Sequence, residues 1–228
     1  MHEISIPERV IEAVHRQRGK LYRYEEVVGP RTALVVIDLQ NMFMLPGMPK
    51  EVPTAREIVP NVNRLAESVR EAGGKVVWVQ MTVEGEQENW SVFFDGDPRG
   101  ESLAQLTPGA PGHALHDDVD VRPEDEVIQK KRYSAFIQGS SNIDEVLRAA
   151  GIDTVIVVGT LTNVCCESSA RDAMMLNYKV LFVSDANAAL ADADHNATLG
   201  TILRVFGDVR TTDEVVGLLA ASKEPAAT

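Results

Sequence analysis

Two rhythms of hydrophobic positions alternate along this chain. Runs rich in Val and Ile, apolar at consecutive positions, recur as ALVVIDLQ from Ala33, KVVWVQ from Lys75, EVIQK from Glu126, DTVIVVG from Asp153 and KVLFVSD from Lys179. A short run that is apolar on both faces is how a strand buried inside a parallel sheet reads. Between these runs the period becomes helical. Ile58, Val62, Leu65 and Val69 share one face, as do Ile143, Val146, Leu147 and Ala150 with Gly151 as the terminating C′ residue, and Leu199, Ile202, Leu203 and Phe206 before Gly207. Strand alternating with helix predicts an α/β fold built on a doubly wound parallel sheet.

Two segments fall outside the rhythm. Residues 7 to 18 predict a short helix ahead of the first strand, with Pro7 suited to its first turn, so residues 1–30 are expected to form an N-terminal helical extension to a domain at 31–228. From Thr82 to about Asp125 the chain is rich in Gly, Pro, Asp and Glu, with Trp90, Phe93 and Phe94 among them. A connection of that length is either a lid or specificity loop or a solvated excursion with a short helix of its own. The tail KEPAAT is expected to fray.

Composition narrows the function classes. A chain of 228 residues, 44% apolar and 25% charged, suits one globular α/β domain. No apolar run approaches a membrane span and the N-terminus lacks a signal-peptide core, so a cytoplasmic protein is expected. A net charge of -12, with no basic run longer than Lys130-Lys131-Arg132, speaks against nucleic-acid partners. The two cysteines, Cys165 and Cys166, are neighbours and cannot staple distant segments; reduced thiols are expected.

In open parallel sheets the ligand crevice lies beyond the carboxyl ends of the strands, which directs attention to the residues there. The first strand ends in Asp38, which alone could merely cap a loop, and the third ends in Lys130, which alone could be a surface lysine. The fourth leads through Gly159–Val164 to Cys165, ahead of a helix marked by Ser168, Ala170, Arg171, Ala173 and Met174. A thiol there would meet the positive end of a helix, which favours thiolate; a buried, inert cysteine is the alternative, and it suits Cys166. Together the three strand ends offer a nucleophile, a base and a cation for one crevice.

The stretches VVIDLQNMF (35–43), KKRYSAF (130–136) and GTLTNVCCESSARDA (159–173), with VSDANAAL from Val183 and His195 as looser matches, resemble the isochorismatase-like cysteine hydrolases from about Thr32 to Arg210. The resemblance implies a six-stranded parallel sheet of order 3-2-1-4-5-6 and a triad of Asp38, Lys130 and Cys165. It also implies a cis peptide between Thr160 and Leu161 that aims the Leu161 N–H, with that of Cys165, at an oxyanion. Leu161 departs from the small residue usual in the family, so its side chain is expected to narrow the pocket. No metal or other cofactor is called for: the Asp-x-His motif of nicotinamidases does not occur, and His113 and His116, at helical i, i+3 spacing in a Pro/Gly-rich stretch, are expected to be solvated rather than to bind metal. Homodimers or homotetramers are common in the family.

The combination around Lys130, Cys165 and Arg171-Asp172-Ala173 looks most like the ureidoacrylate, biuret and related carbamoyl-amide hydrolases, although Met81 and Val83 stand where ureidoacrylate hydrolases carry Asn and Trp. The expected chemistry is acyl transfer from a small amide or ureido compound, with Lys130 and the helix terminus lowering the Cys165 pKa and Asp38 taking the thiol proton. Phe43, Trp90, Tyr133 and Phe136 are candidates for the pocket wall or plain core, and Gln40, Asn41 and Asn163 either orient substrate or satisfy loop backbone. Asp192, Asp194 and His195 are expected to cap and pack a helix start. Other readings are a nicotinamidase-like or isochorismatase-type hydrolase, a thiol redox protein using Cys165 and Cys166, and a protein of this fold that only binds.

Overall fold

The computed structural model describes residues 1–84, 90–94 and 103–223, with Phe93 and Phe94 described as backbone only. Six parallel strands form one sheet: β1 (Thr32–Ile37), β2 (Lys75–Met81), β3 (Glu126–Lys130), β4 (Thr154–Thr160), β5 (Lys179–Ala188) and β6 (Asp208–Arg210), in the order β3-β2-β1-β4-β5-β6. Each apolar run became a strand because the central ones are covered on both faces, and every residue of β1 and β4 is buried. Side chains alternate about the sheet. Ala33, Val35 and Ile37 face a core completed by the helices Ile143–Ala149 and Glu167–Met175 and by Val10 and Val14 of the N-terminal helix Glu8–Arg18; Leu34 and Val36 face a second core under the helices Val59–Glu71 and Thr212–Ala221.

Two boundaries differ from the sequence expectation. The sixth strand is only three residues long and pairs through Leu181, Phe182 and Val183, too short to leave an apolar run in the sequence. The helix expected after Cys165 begins earlier: residues Thr162–Cys166 form a π-helical turn, entered from Leu161, that runs directly into Glu167–Met175. β3, at the sheet edge, keeps only Ile128 and Lys130 buried, and Val127 faces outward.

The expected 82–125 connection is described only in part; residues 85–89 and 95–102 lie outside the described set, as do 224–228 of the tail. The portion from Leu103 to Val119 is fastened to the chain after β1. Asn41 N–H donates to Ala114 O, Met42 N–H to Gly112 O and His116 N–H to Leu39 O, while Leu103 and Leu106 join Met42, Met81 and Val83 in a small satellite core. Among the described residues no helix is long and apolar enough to cross a membrane.

Candidate active site

Parallel strands put all their carboxyl ends on one rim, and the order reverses between β1 and β4, the point where sheets of this kind bind their ligands. Register then decides which residues meet. Met81 at the end of β2 pairs with Lys130 at the end of β3, Ile37 pairs with Gly159, and the Asp38 N–H donates to Val79 O. Gly159 has φ +120°, and a Cβ there would stand 2.1 Å from Ile37 O. Only glycine lets β4 come this close to the strand that carries Asp38. Asp38 itself adopts φ +53°, a left-handed conformation uncommon for a non-glycine residue, and the Thr160–Leu161 peptide is cis.

The three sequence candidates converge. Lys130 Nζ lies 2.9 Å from Asp38 Oδ2 and 3.5 Å from Cys165 Sγ, and it donates as well to Arg132 O at 3.1 Å. Met81 Sδ stands 3.4 Å away on the remaining side. Asp38 and Lys130 are fully buried and Cys165 is 7% exposed. Besides the ion pair, the Cys165 thiol and the Met81 N–H also face the Asp38 carboxylate and favour its charged form.

Burial dominates the electrostatics. It raises the Asp38 pKa, with Lys130 pulling the other way. It also works against the charge of Lys130, but Asp38 and Cys165 outweigh it and hold that pKa above the usual lysine value. The Cys165 thiol is pushed well up, first by burial and then by the Asp38 charge, against the opposing pull of Lys130. This corrects the expectation of a lowered Cys165 pKa: thiolate at this depth lacks water, and a neighbouring carboxylate repels it. Burial thus works against the charged forms of the thiol and the carboxyl group, while the ion pair favours the protonated lysine.

The flanking candidates separate. Gln40 spends its amide on backbone, donating to Met81 O and His113 O and accepting from Met81 N–H, and Asn41 donates to Pro111 O, so both do the loop-satisfying work. Phe136 is buried in the sheet core with its ring 5.8 Å from that of Tyr178. Phe43 bridges the second core and the satellite core, and Leu161 is half-buried against the second core. Tyr133, 40% exposed, meets Trp90 edge to face at 5.1 Å, with the Arg132 guanidinium 5.1 Å from the Trp90 ring centroid. Asn163 is exposed on the turn leading to Cys165.

The histidines correct two readings. His113 is buried, not solvated: its Nε2 is 2.8 Å from Thr82 Oγ1, burial lowers its pKa, and neither it nor His116 lies in a helix. The helix Asp192–Thr201 begins after Ala191 with no side-chain cap, so Asp192 and Asp194 do not cap it; Asp192 instead contacts His2. The packing half of that expectation is seen, with His195 fully buried. Among the described residues no three His, Cys, Asp or Glu side chains gather as a metal site would require.

Sequence reasoning missed the residues that hold the loop after Lys130. Ser134 Oγ accepts from Phe136 and Ile137 N–H, Ser140 Oγ donates to Ser134 O, and Ser169 Oγ on the helix after Cys165 accepts from Ala135 N–H. Ser169 thus ties the lysine loop to the cysteine helix. The signal was a small hydroxyl on the buried face of that helix.

The doubly wound sheet of this order brings an acid, a lysine and a cysteine together at three strand ends, and residues 32–214 match the isochorismatase domain, a family of hydrolases. The chain belongs to the isochorismatase family. It is 31% identical over 207 residues to the ureidoacrylate amidohydrolase RutB of Agrobacterium fabrum, covering 83% of this chain and 90% of that protein. Among solved structures, a cysteine hydrolase from Pseudomonas syringae pv. phaseolicola superposes with a TM-score of 0.82 at 32% identity, over 89% of this chain and 98% of that one. The N-carbamoylsarcosine amidase of Thermoplasma acidophilum superposes with a TM-score of 0.64 at 29% identity, over 80% and 97%.

Proposed function

We propose that this protein is a cysteine-dependent amidohydrolase that cleaves a linear amide, ureido or carbamoyl carbon–nitrogen bond of a small molecule. One observation carries the reading: at the buried strand ends Lys130 Nζ lies 2.9 Å from Asp38 Oδ2 and 3.5 Å from Cys165 Sγ. The similarity to a ureidoacrylate amidohydrolase and a carbamoylsarcosine amidase supports the choice of bond.

In this mechanism Asp38 accepts the Cys165 proton as Sγ attacks the carbonyl carbon, and Lys130 stabilises both the carboxylate and the forming thiolate. The tetrahedral oxyanion is received by the Leu161 and Cys165 N–H groups, each worth about 3 kcal/mol in such holes. Asp38 passes its proton to the leaving nitrogen, the carbon–nitrogen bond breaks, and ammonia or a small amine departs, leaving an acyl or carbamoyl thioester on Cys165. A water then gives its proton to Asp38 as it adds to the thioester. The carbon–sulfur bond breaks, the thiol regains the proton, and the acid or carbamic acid leaves. The raised thiol pKa fits a nucleophile that is deprotonated only as it attacks.

The test is ammonia release over a panel of ureido acids, biuret, carbamoyl amino acids, nicotinamide and simple amides, after chelator treatment, by wild type, Cys165→Ala and Cys166→Ala. Release that needs Cys165 but not Cys166 is the expected result. Equal loss from both variants would overturn the assignment.

A further inference from the structure

The turn that carries Cys165 is gripped at both ends by one helix that plays no part in the mechanism above. At its start, Thr162 Oγ1 lies 2.9 Å from His195 Nδ1; just past its end, Thr198 Oγ1 donates to Glu167 Oε2 at 2.5 Å. His195 and Thr198 are three residues apart in Asp192–Thr201 and so share a face of that helix. Between the two grips the backbone closes the π turn, with Cys166 N–H donating to Leu161 O and Glu167 N–H to Thr162 O.

His195 is itself backed by the extreme N-terminus. The His2 ring stacks on it with centroids 4.3 Å apart and planes 19° from parallel. His2 Nδ1 lies 2.6 Å from Asp192 Oδ1, and its Nε2 accepts from Ala189 N–H. Asn196 fastens the same segment through Ser5 N–H and Glu3 O. Burial, with the neighbouring His2, lowers the His195 pKa to about 4, so the imidazole facing Thr162 is neutral near pH 7.

We propose that His195 and Thr198 are positioning residues that clamp the Cys165 turn, with His2 as the backstop that holds the His195 ring. The inference rests on Cys165 being the nucleophile, but its test needs no substrate. Burial is the largest influence raising the Cys165 thiol, so a turn released from the clamp admits water and brings that pKa down. One pKa unit changes the thiolate fraction about tenfold, and alkylation follows the thiolate.

The experiment measures iodoacetamide labelling of Cys165 and Cys166 separately, by peptide mass spectrometry across pH 7 to 10, in wild type, Thr162→Val, Thr162→Ser, His195→Ala and His2→Ala. The expected result is Cys165 labelling about tenfold faster at pH 8 in Thr162→Val and His195→Ala, and about threefold faster in His2→Ala. Cys166 should be unchanged, and Thr162→Ser, which keeps the hydroxyl, should restore the wild-type rate. Thr162→Val, nearly isosteric, carries the test if His195→Ala does not fold. Cys165 labelling within twofold of wild type, or acceleration of both cysteines together as from general loosening, would overturn the clamp. An inactive Cys165 assignment would show instead as ammonia release by Cys165→Ala, a separate result.

Discussion

Replacing Lys130 by Met should turn the stability of this protein into a titration of Asp38. The two groups are 2.9 Å apart with side chains 0% and 1% exposed, and Lys130 is the strongest influence opposing burial of the Asp38 charge. Without the cation, the buried carboxylate's least costly response is to take up a proton. Starting from an unfolded-state pKa of about 3.9, that uptake costs about 1.4 kcal/mol per pH unit, or about 4 kcal/mol at pH 7. The figure falls within the about 3–5 kcal/mol usual for breaking a buried pair. The sign follows from burial: the folded-state pKa stands above the unfolded one, so the folded form binds the extra proton and stability falls as pH rises above about 4. Urea unfolding at pH 5, 6 and 7 should show Lys130→Met losing about 1.4 kcal/mol per unit relative to Lys130→Met/Asp38→Asn, whose buried amide does not titrate. Parallel stabilities of the two variants across that range would refute the argument.

Other outcomes follow from the same physics. Gly159→Ala places a Cβ 2.1 Å from Ile37 O at φ +120° and should cost about 3–5 kcal/mol by thermal or urea unfolding; a loss under 1 kcal/mol would mean the two strands part easily. In the resting wild type, iodoacetamide labelling of Cys165 should still be climbing above pH 9, because burial raises the thiol; a plateau below pH 8 would reveal a preformed thiolate. Asp125 accepts from Arg70 and the Trp78 Nε1–H with only 2% of its side chain exposed. Asp125→Ala should lose about 3 kcal/mol at pH 7. Burial raises the Asp125 pKa but Arg70 and Trp78 outweigh it, so its contribution is present above the unfolded pKa and fades as pH falls through the lowered folded value. A deficit that persisted undiminished at pH 3 would contradict that.

What the sequence disclosed and what it hid divide along physical lines. Strands such as Leu34–Ile37 and Val155–Val158 are apolar on both faces because helices cover both sides, and their shortness and Val/Ile content separate them from a buried helix. β6 was hidden because three residues at the edge of a sheet carry no pattern. Asp38, Lys130 and Cys165 were visible because parallel strands deliver their end residues to one rim, whereas the direction of the Cys165 pKa depends on burial and on Asp38, neither of which has a sequence signature. His113 read as solvated from its Gly/Pro-rich neighbours, but its own contact with Thr82 and its carbonyl bonds to Gln40 and Gln80 come from residues more than thirty positions away. The packing of His195 was legible, but its partners Thr162 and His2 were not, since both are distant in sequence.

The most direct test of the central claim is intact-protein and peptide mass spectrometry of enzyme quenched in acid within milliseconds of mixing with a turned-over ureido or carbamoyl compound. The mechanism predicts a thioester on the Cys165 peptide, with mass equal to the substrate less its departing amine, that is absent in Cys165→Ala. Turnover at wild-type rate by Cys165→Ala, or an adduct on any other residue, would contradict it.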